Sequence, residues 1–363
     1  MNSYKNIIFN SFKCDVWTEL KNSKNPILIY GMGNGADKII AFFERYGIEY
    51  SDVFASDGFV RGHMFRGKRV ISYSEAVEKY KIFDIVVSFG TRLPDVMERI
   101  YSLEANHRVY APDVPVCDGE IFNEEFFDSH SDELYFAREL FEDEKSKEIF
   151  DDIVRFKLTA RLSYLRSTEC DEVTADSCLR LEKYKTYVDL GAYNGDTVKK
   201  YTALCPNLSS IYAFEPDKRN FKKLTALCEE LTGVNTTTLN CAAYSCDTVL
   251  SFSASGNRNS SAASKGSFQH KTVEIEGKAP DSVCDSADFI KFDVEGMEFE
   301  ALLGCKHLIA NHHPDMLVSM YHKSEDLYKL PALVKNLHQG YSLHLRRLPY
   351  IPAWDLNMYA ISE

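Results

Sequence analysis

The sequence lacks the features that mark membrane-spanning and DNA-binding proteins. No apolar run approaches the roughly 20 residues that a membrane span requires, so we expect none. The chain has 42 Lys and Arg against 54 Asp and Glu, which gives a net charge of −12. Its longest basic runs are only pairs, such as Lys222-Lys223 and Arg346-Arg347. Duplex binding normally requires a basic excess, so we expect no DNA partner.

The cysteine pattern gives no sign of metal or disulfide chemistry. The ten cysteines form no C-x-x-C pair, so we expect reduced thiols and neither a disulfide framework nor a zinc site. The first residues, MNSYKNIIFNSFKCDVW, contain no apolar segment followed by a small-residue cleavage site. We therefore expect a cytoplasmic protein. Nothing in the sequence predicts its oligomeric state.

The composition and the order of the predicted elements indicate an α/β protein. Hydrophobic residues make up 45% of the 363 residues, enough for a sizeable core. Strand-like and helix-like segments alternate over the first 110 or so residues and again from Tyr187, which predicts two parallel sheets. We predict two Rossmann-like domains, at 1–120 and 183–363, joined by a helical connector at 121–182. The last two strands have no helix between them and should pair antiparallel.

A glycine cluster follows the first strand of the N-terminal region. The residues Gly31 to Ala36, GMGNGA, fit the G-x-G-x-x-A pattern of dinucleotide-binding turns, and Asp57 lies 21 residues beyond Ala36. The cluster could bind a nucleotide-sugar or a dinucleotide, or it could be a packing turn in a scaffold domain. The segment ASDGFVRGHMFRGKRVIS resembles the small Rossmann-like domains that accompany glycan-modifying enzymes, and the unit has only about five predicted strands, so we favour the packing turn.

The C-terminal region carries polar residues at the ends of four successive predicted strands. The first strand ends in VDLGAYNGDTV (188–198), and the second ends at Glu215, a position where an acid can accept both hydroxyls of a ribose. The third is followed by Asn240 to Ala242, where an adenine ring would lie. The fourth ends in KFDVEG (291–296). Carboxyl ends of parallel strands meet at one edge, so this pattern predicts a ligand site.

These segments resemble the FkbM-type S-adenosylmethionine-dependent methyltransferases over about residues 186–363. The resemblance rests on VDLGAYNGDTV, AFEPDKRNF, NCAAYS, DFIKFDVEGMEFEALLG and MLVSMYHKSEDLYKLPALV. It implies a class I methyltransferase sheet of seven strands with an antiparallel last strand, and S-adenosyl-L-methionine as cofactor. The default reaction is O-methylation of a hydroxyl on a sugar, glycan or related small molecule. The alternative is a nucleotide-sugar or dinucleotide-binding protein acting through the N-terminal glycine turn.

The resemblance also implies residue roles. Asp189, Gly191 and Gly195 would hold the methionine end of the cofactor, Glu215 its ribose, and Asn240, Cys241 and Ala242 would border its adenine. The full set of predicted cofactor-binding residues is Asp189, Gly191, Tyr193, Asn194, Gly195, Asp196, Glu215, Pro216, Asn240, Cys241, Ala242 and Asp293. Tyr193 departs from the general pattern, because many class I enzymes have a second glycine there.

Transfer to a hydroxyl can need a base to take the proton, and three residues are candidates for this catalytic role: Asp293, Glu295 and His322. Asp293 could instead be a cofactor ligand, Glu295 could cap the following helix, and His322 could be a surface residue. We expect no metal, because no second carboxylate with matching spacing stands out beside Asp293. The Ser- and Asn-rich insertion, with Asn257 to Ser261, could border the acceptor pocket.

Overall fold

The N-terminal region is a parallel five-stranded sheet flanked by helices. A computed structural model describes residues 3–60, 62–115, 117, 119–253 and 272–363. The N-terminal elements are α1 (Ser3–Ile8), α2 (Val16–Lys21), β1 (Ile27–Tyr30), α3 (Asn34–Tyr46), β2 (Asp52–Ala55), β3 (Met64–Phe65), β4 (Lys68–Arg69), β5 (Ile71–Ser72), α4 (Tyr73–Tyr80), β6 (Asp84–Val87), α5 (Pro94–Leu103) and β7 (Arg108–Tyr110). The strand order is β5-β2-β1-β6-β7, and all four pairings are parallel.

Four helices connect this sheet to the next: α6 (Glu124–Glu139), α7 (Glu144–Thr159), α8 (Leu162–Thr168) and α9 (Glu172–Asp176). These helices fill most of the predicted helical connector, and α9 is the shortest of them. The segment DEKSKEIFDDIVRFKLTARLSYL (143–165) is divided between α7 and α8. The split occurs at Ala160, whose left-handed backbone (φ 55°) ends α7.

The C-terminal region holds a seven-stranded sheet. Its elements are β8 (Thr186–Leu190), α10 (Asp196–Leu204), β9 (Ser210–Phe214), α11 (Lys218–Glu230), β10 (Asn235–Leu239), β11 (Ala242–Ala243), β12 (Thr248–Ser253), β13 (Thr272–Lys278), β14 (Phe289–Phe292), α12 (Glu298–Gly304), α13 (Lys306–His312), β15 (Asp315–Ser319), α14 (Asp326–Leu337), β16 (Tyr341–Arg347) and β17 (Leu356–Ser362). The order is β10-β9-β8-β14-β15-β17-β16, with β17 antiparallel to both neighbours. The predicted seven strands and antiparallel last strand are confirmed.

The insertion after β10 contains the expected hairpin. Strands β12 and β13 pair antiparallel, and β11 joins β13 in a small separate sheet. The prediction that Asn257 to Ser261 border the acceptor pocket concerns residues outside the described part of the chain.

The two sheets share one hydrophobic core. A single cluster of buried side chains includes Leu28 from β1, Phe127 from α6 and Ile290 from β14. The backbone of Thr91 also pairs with that of Ile351. The domain boundaries therefore stay a prediction, and the core crosses both of them.

Candidate active site

A cavity of about 540 Å³ lies at the carboxyl ends of the central strands of the C-terminal sheet. Gly191 follows β8, Glu215 follows β9, Asp293 follows β14 and His322 lies shortly after β15, and all four line the cavity. Its volume falls in the range typical of small-molecule sites. The strand-end pattern of the sequence thus corresponds to one cavity.

The predicted site residues divide into two groups. Those that line the cavity are Gly191, Tyr193, Asp196, Glu215, Pro216, Ala242, Asp293, Glu295 and His322. The others lie behind its wall and are Asp189, Asn194, Gly195, Asn240 and Cys241.

Asp189 is fully buried and acts on the cavity through two neighbours. It accepts a hydrogen bond from Thr197 Oγ1 at 2.6 Å and one from Lys291 Nζ at 3.3 Å. The sheet register explains the second contact, because Asp189 on β8 lies opposite Lys291 on β14. Thr197 and Lys291 both line the cavity, so Asp189 fixes their positions.

The turn after β8 requires glycine at its first position. Gly191 has a φ of 85°, and a Cβ there would lie 1.9 Å from the carbonyl oxygen of Asp293. Tyr193 adopts a left-handed backbone with φ 47°, so the turn forms although the second glycine of the general pattern is missing. Asn194 Oδ1 accepts the N–H of Asp196 at 3.3 Å, which keeps its side chain inside the turn.

Glu215 joins this turn to the end of β9. Its carboxylate accepts the N–H of Tyr193 and the N–H of Asp217, both at 2.8 Å. Burial raises the pKa of Glu215 to about 7. A carboxylate has about four lone-pair sites, so Glu215 can still accept ligand hydroxyls from the cavity.

The residues after β10 differ in what they can contact. Asn240 Nδ2 donates to the carbonyl oxygens of Glu215 and Pro216, at 2.9 and 3.1 Å, and Cys241 is buried in the core. Ala242 and Ala243 form this part of the cavity wall. Asn240 therefore supports the Glu215 segment from behind.

His322 is surrounded by carboxylates at the opposite side of the cavity. Its Nδ1 lies 2.9 Å from Glu298 Oε1, and its Nε2 lies 3.6 Å from both Asp293 Oδ1 and Glu295 Oε2. His322 is only 3% exposed, so the alternative of a surface histidine is wrong.

Glu295 does not cap the helix that follows it. It lies in the loop with a φ of 54°, and the first residue of α12 is Glu298. Glu298 Oε1 accepts the N–H groups of Val294 and Gly296, at 2.9 and 3.4 Å. The buried Glu298 thus organises the loop that presents Glu295 to the cavity.

Burial and charge shift the pKa values of this cluster in different directions. Burial would raise the pKa of Asp293, but the charges of Lys291 and His322 and hydrogen bonds from Tyr321 and Ser319 together outweigh burial and lower it. Burial raises the pKa of Glu295 to about 8. Burial would lower the pKa of His322, but Glu298 and the other carboxylates raise it to about 10.

Sequence reasoning missed several residues of the site, among them Glu298, Tyr321 and Arg92. Glu298 follows Glu295 in the quoted segment DFIKFDVEGMEFEALLG, and this second acid close to Asp293 could have been noticed. Tyr321 lines the cavity and donates to Asp293 Oδ1 at 3.2 Å. Arg92 reaches the cavity from the N-terminal region, and no sequence signal indicates that contact.

The N-terminal glycine cluster has a packing explanation. A Cβ on Gly35 would lie 2.0 Å from the carbonyl oxygen of Ser88, and one on Gly31 would lie 2.6 Å from the ring of Phe89. The carboxylate of Asp57 accepts hydrogen bonds from the backbone N–H and hydroxyl of Ser74, at 3.2 and 2.8 Å. The acid is therefore already used within the protein, which does not favour the nucleotide-binding alternative.

A comparison with protein families finds a match in the C-terminal region. Residues 189–343 match the family model of the methyltransferase FkbM domain. The matched range of this FkbM domain contains every predicted site residue. The match supports methyl transfer as the activity class. No curated protein sequence matches the chain.

One solved structure shares this fold over nearly the whole chain. The methyltransferase FkbM from Methylobacillus flagellatus KT is similar over 99% of this chain and 94% of its own, with a TM-score of 0.70 and 18% identity. Precorrin-6y C5,15-methyltransferase from Geobacter metallireducens GS-15 matches 53% of this chain and 87% of its own, with a TM-score of 0.35 and 12% identity. Aeropyrum pernix fibrillarin, crystallised with natively bound S-adenosyl-L-methionine, matches 50% of this chain and 69% of its own, with a TM-score of 0.33 and 13% identity.

No helix within the described part of the chain is both long and apolar enough to cross a membrane.

Proposed function

We propose that the protein is an S-adenosyl-L-methionine-dependent methyltransferase that methylates a hydroxyl of a sugar, glycan or related small molecule. The observation that carries the proposal is the cavity that joins the Gly191 turn and Glu215 on one side to Asp293, Glu295 and His322 on the other. The FkbM domain match supports the same activity class.

The residues at the turn fit the cofactor. Gly191 leaves space where a Cβ would collide with the backbone, and Glu215 keeps lone pairs free for two ribose hydroxyls. In this proposal Tyr193 and Asp196 border the methionine end, while Pro216, Ala242 and Ala243 border the adenine. Asp189 acts indirectly, by holding Thr197 and Lys291. The cofactor supplies an electrophilic methyl group on a sulfonium ion.

In this proposal the residues on the other side of the cavity accept the proton of the acceptor hydroxyl. As the acceptor oxygen forms its bond to the methyl carbon, the carbon–sulfur bond breaks and the hydroxyl proton must leave. Asp293, Glu295 and His322 surround one volume, since His322 Nε2 lies 3.6 Å from each carboxylate. A group there can take the proton while the protein aligns the oxygen behind the methyl carbon.

Three further residues of the cavity lining fit a sugar-like acceptor. Tyr350 and Trp354 line the cavity with ring centroids 5.1 Å apart, and Asn357 lines the same cavity. Aromatic faces pack against the C–H faces of a sugar ring, and an amide can bond its hydroxyls. None of these three residues belongs to the Ser- and Asn-rich insertion.

Ligand binding by the full-length protein tests the proposal. S-adenosyl-L-methionine and S-adenosylhomocysteine should bind in calorimetry with micromolar affinity and raise the melting temperature. NAD is the matched control, because it shares the adenosine group but lacks the methionine end. A thermal shift with NAD and none with either sulfur compound would overturn the proposal. Methyl transfer to a panel of sugars and glycans then tests the acceptor class.

A further inference from the structure

Three residues from separate parts of the FkbM domain converge beside the cavity. Asp293 follows β14, Glu298 begins α12 and His322 lies after β15. One potential ligand atom from each lies within 4.8 Å of the other two. Two carboxylates and one imidazole at this separation can share a single metal ion.

Two buried atoms of this trio lack hydrogen-bond partners among the described residues. They are Glu298 Oε2 and His322 Nδ1. Glu298 Oε1 is occupied by backbone N–H groups, so its second oxygen is the one left over. His322 Nδ1 is 2.9 Å from Glu298 Oε1 but is not aligned for a hydrogen bond. A buried polar atom without a partner is costly, and a bound cation would satisfy both.

The charges around the trio also favour a cation. Asp293, Glu295 and Glu298 all contact one imidazole, and Lys291 Nζ lies 3.6 Å from Asp293 Oδ2 on the far side. Lys291 is shared with Asp189, so the carboxylates here outnumber the lysine. A divalent ion would take the place of the proton on His322 in balancing their charge.

We propose that Asp293, Glu298 and His322 bind one divalent cation, with Mn²⁺ preferred over Mg²⁺. Carboxylate oxygens suit both ions, and the imidazole nitrogen favours the softer Mn²⁺. This proposal departs from the expectation of no metal, because the fold brings a second carboxylate, Glu298, close to Asp293. Asp293 and His322 also line the cavity, so the ion would face an acceptor hydroxyl and could lower its pKa.

The binding claim does not depend on methyl transfer, so its test reads metal binding directly. The full-length protein is freed of metal with EDTA and titrated with Mn²⁺, without cofactor, while the free-ion signal is followed by electron paramagnetic resonance. We expect one Mn²⁺ per chain, and competition by excess Mg²⁺.

Variants locate the ion. Glu298→Gln keeps an oxygen for the backbone N–H groups but loses the charge, and it should weaken Mn²⁺ binding at least tenfold. Asp293→Asn should also weaken Mn²⁺ binding at least tenfold, and it replaces Glu298→Gln as the test if that variant folds poorly. Glu172→Gln is the matched control, since Glu172 lines the distant part of the same cavity. Absence of stoichiometric Mn²⁺ binding, or equal binding by all three variants, would overturn the proposal.

Discussion

The glycine turn at 31–36 and the glycine turn at 191–195 occupy equivalent places in the two sheets. Each follows the first strand, in chain order, of its sheet, and each meets a carbonyl at the end of a neighbouring parallel strand. A Cβ on Gly35 would lie 2.0 Å from Ser88 O after β6, and one on Gly191 would lie 1.9 Å from Asp293 O after β14. The shared feature is therefore steric, because both turns pass close to the next strand.

What differs is the polar chemistry around the two turns. In the N-terminal sheet, Asp57 is bonded to Ser74, and Phe89 packs edge-on against Tyr30. In the C-terminal sheet, Glu215 bonds the turn itself and still faces the cavity. A glycine pattern alone thus indicates only that the turn packs closely against the end of a neighbouring strand. The acids at the ends of neighbouring strands indicate the ligand site.

The largest effect should come from filling the closest backbone contacts. Gly191→Ala should lower the free energy of unfolding by about 3 kcal/mol, since the new Cβ overlaps Asp293 O and the φ is positive. Gly35→Ala should cost about 1–3 kcal/mol for the same overlap. Denaturant unfolding measures both losses. Calorimetry below the melting temperature should show that only Gly191→Ala loses S-adenosylhomocysteine binding, and equal losses in both would break the comparison.

Replacing the acid beside each turn by its amide tests the difference between the two turns. Glu215→Gln should weaken S-adenosylhomocysteine binding by about 1.5–3 kcal/mol, because a charged hydrogen bond to a ribose hydroxyl is lost. Asp57→Asn is the control and should leave the affinity unchanged. Glu215→Ala should also destabilise the protein, since the N–H groups of Tyr193 and Asp217 lose their acceptor. An affinity loss with Asp57→Asn, or none with Glu215→Gln, would show that the ligand lies elsewhere.

The same carboxylate should make cofactor binding depend on pH. The pKa of Glu215 is raised from an ordinary 4.5 to about 7. Proton binding by Glu215 therefore stabilises the folded protein below pH 4.5, and this stabilisation is lost as the pH rises through about 7. Ribose hydroxyls donate best to the ionised form. The ionised fraction grows about fivefold between pH 6 and 7, so S-adenosylhomocysteine affinity should rise by up to about fivefold over that interval. Calorimetry at both pH values tests this, and Glu215→Gln should abolish the dependence.

The sequence predicts the position of the site better than the direction of its side chains. Parallel strands force their carboxyl ends to one edge, so Glu215, Asp293 and His322 could be placed together in advance. The amide of Asn240 instead turns to the backbone behind Glu215, which its position after β10 does not determine. Arg92 reaches the cavity only because the two regions pack together, and such a contact leaves no local pattern.

The smallest effect should come from Gly33, where the two interpretations of the N-terminal turn diverge. Gly33 has a φ of 111°, and a Cβ there would meet nothing within 4 Å. If the turn is only a packing device, Gly33→Val should cost roughly 1–2 kcal/mol of unfolding free energy through its backbone conformation and leave S-adenosylhomocysteine affinity intact.

The matched control for that change is Gly58→Val, at another open position without a positive φ, which should be nearly neutral. If the turn instead holds a phosphate, the branched side chain would block its approach, because this open position is where the phosphate would lie. Thermal shifts of the full-length wild type and both variants with UDP-glucose and NAD separate the two cases. The packing interpretation expects no shift in any of them. A shift in the wild type and in Gly58→Val that disappears in Gly33→Val would contradict it and show a nucleotide site in the N-terminal sheet.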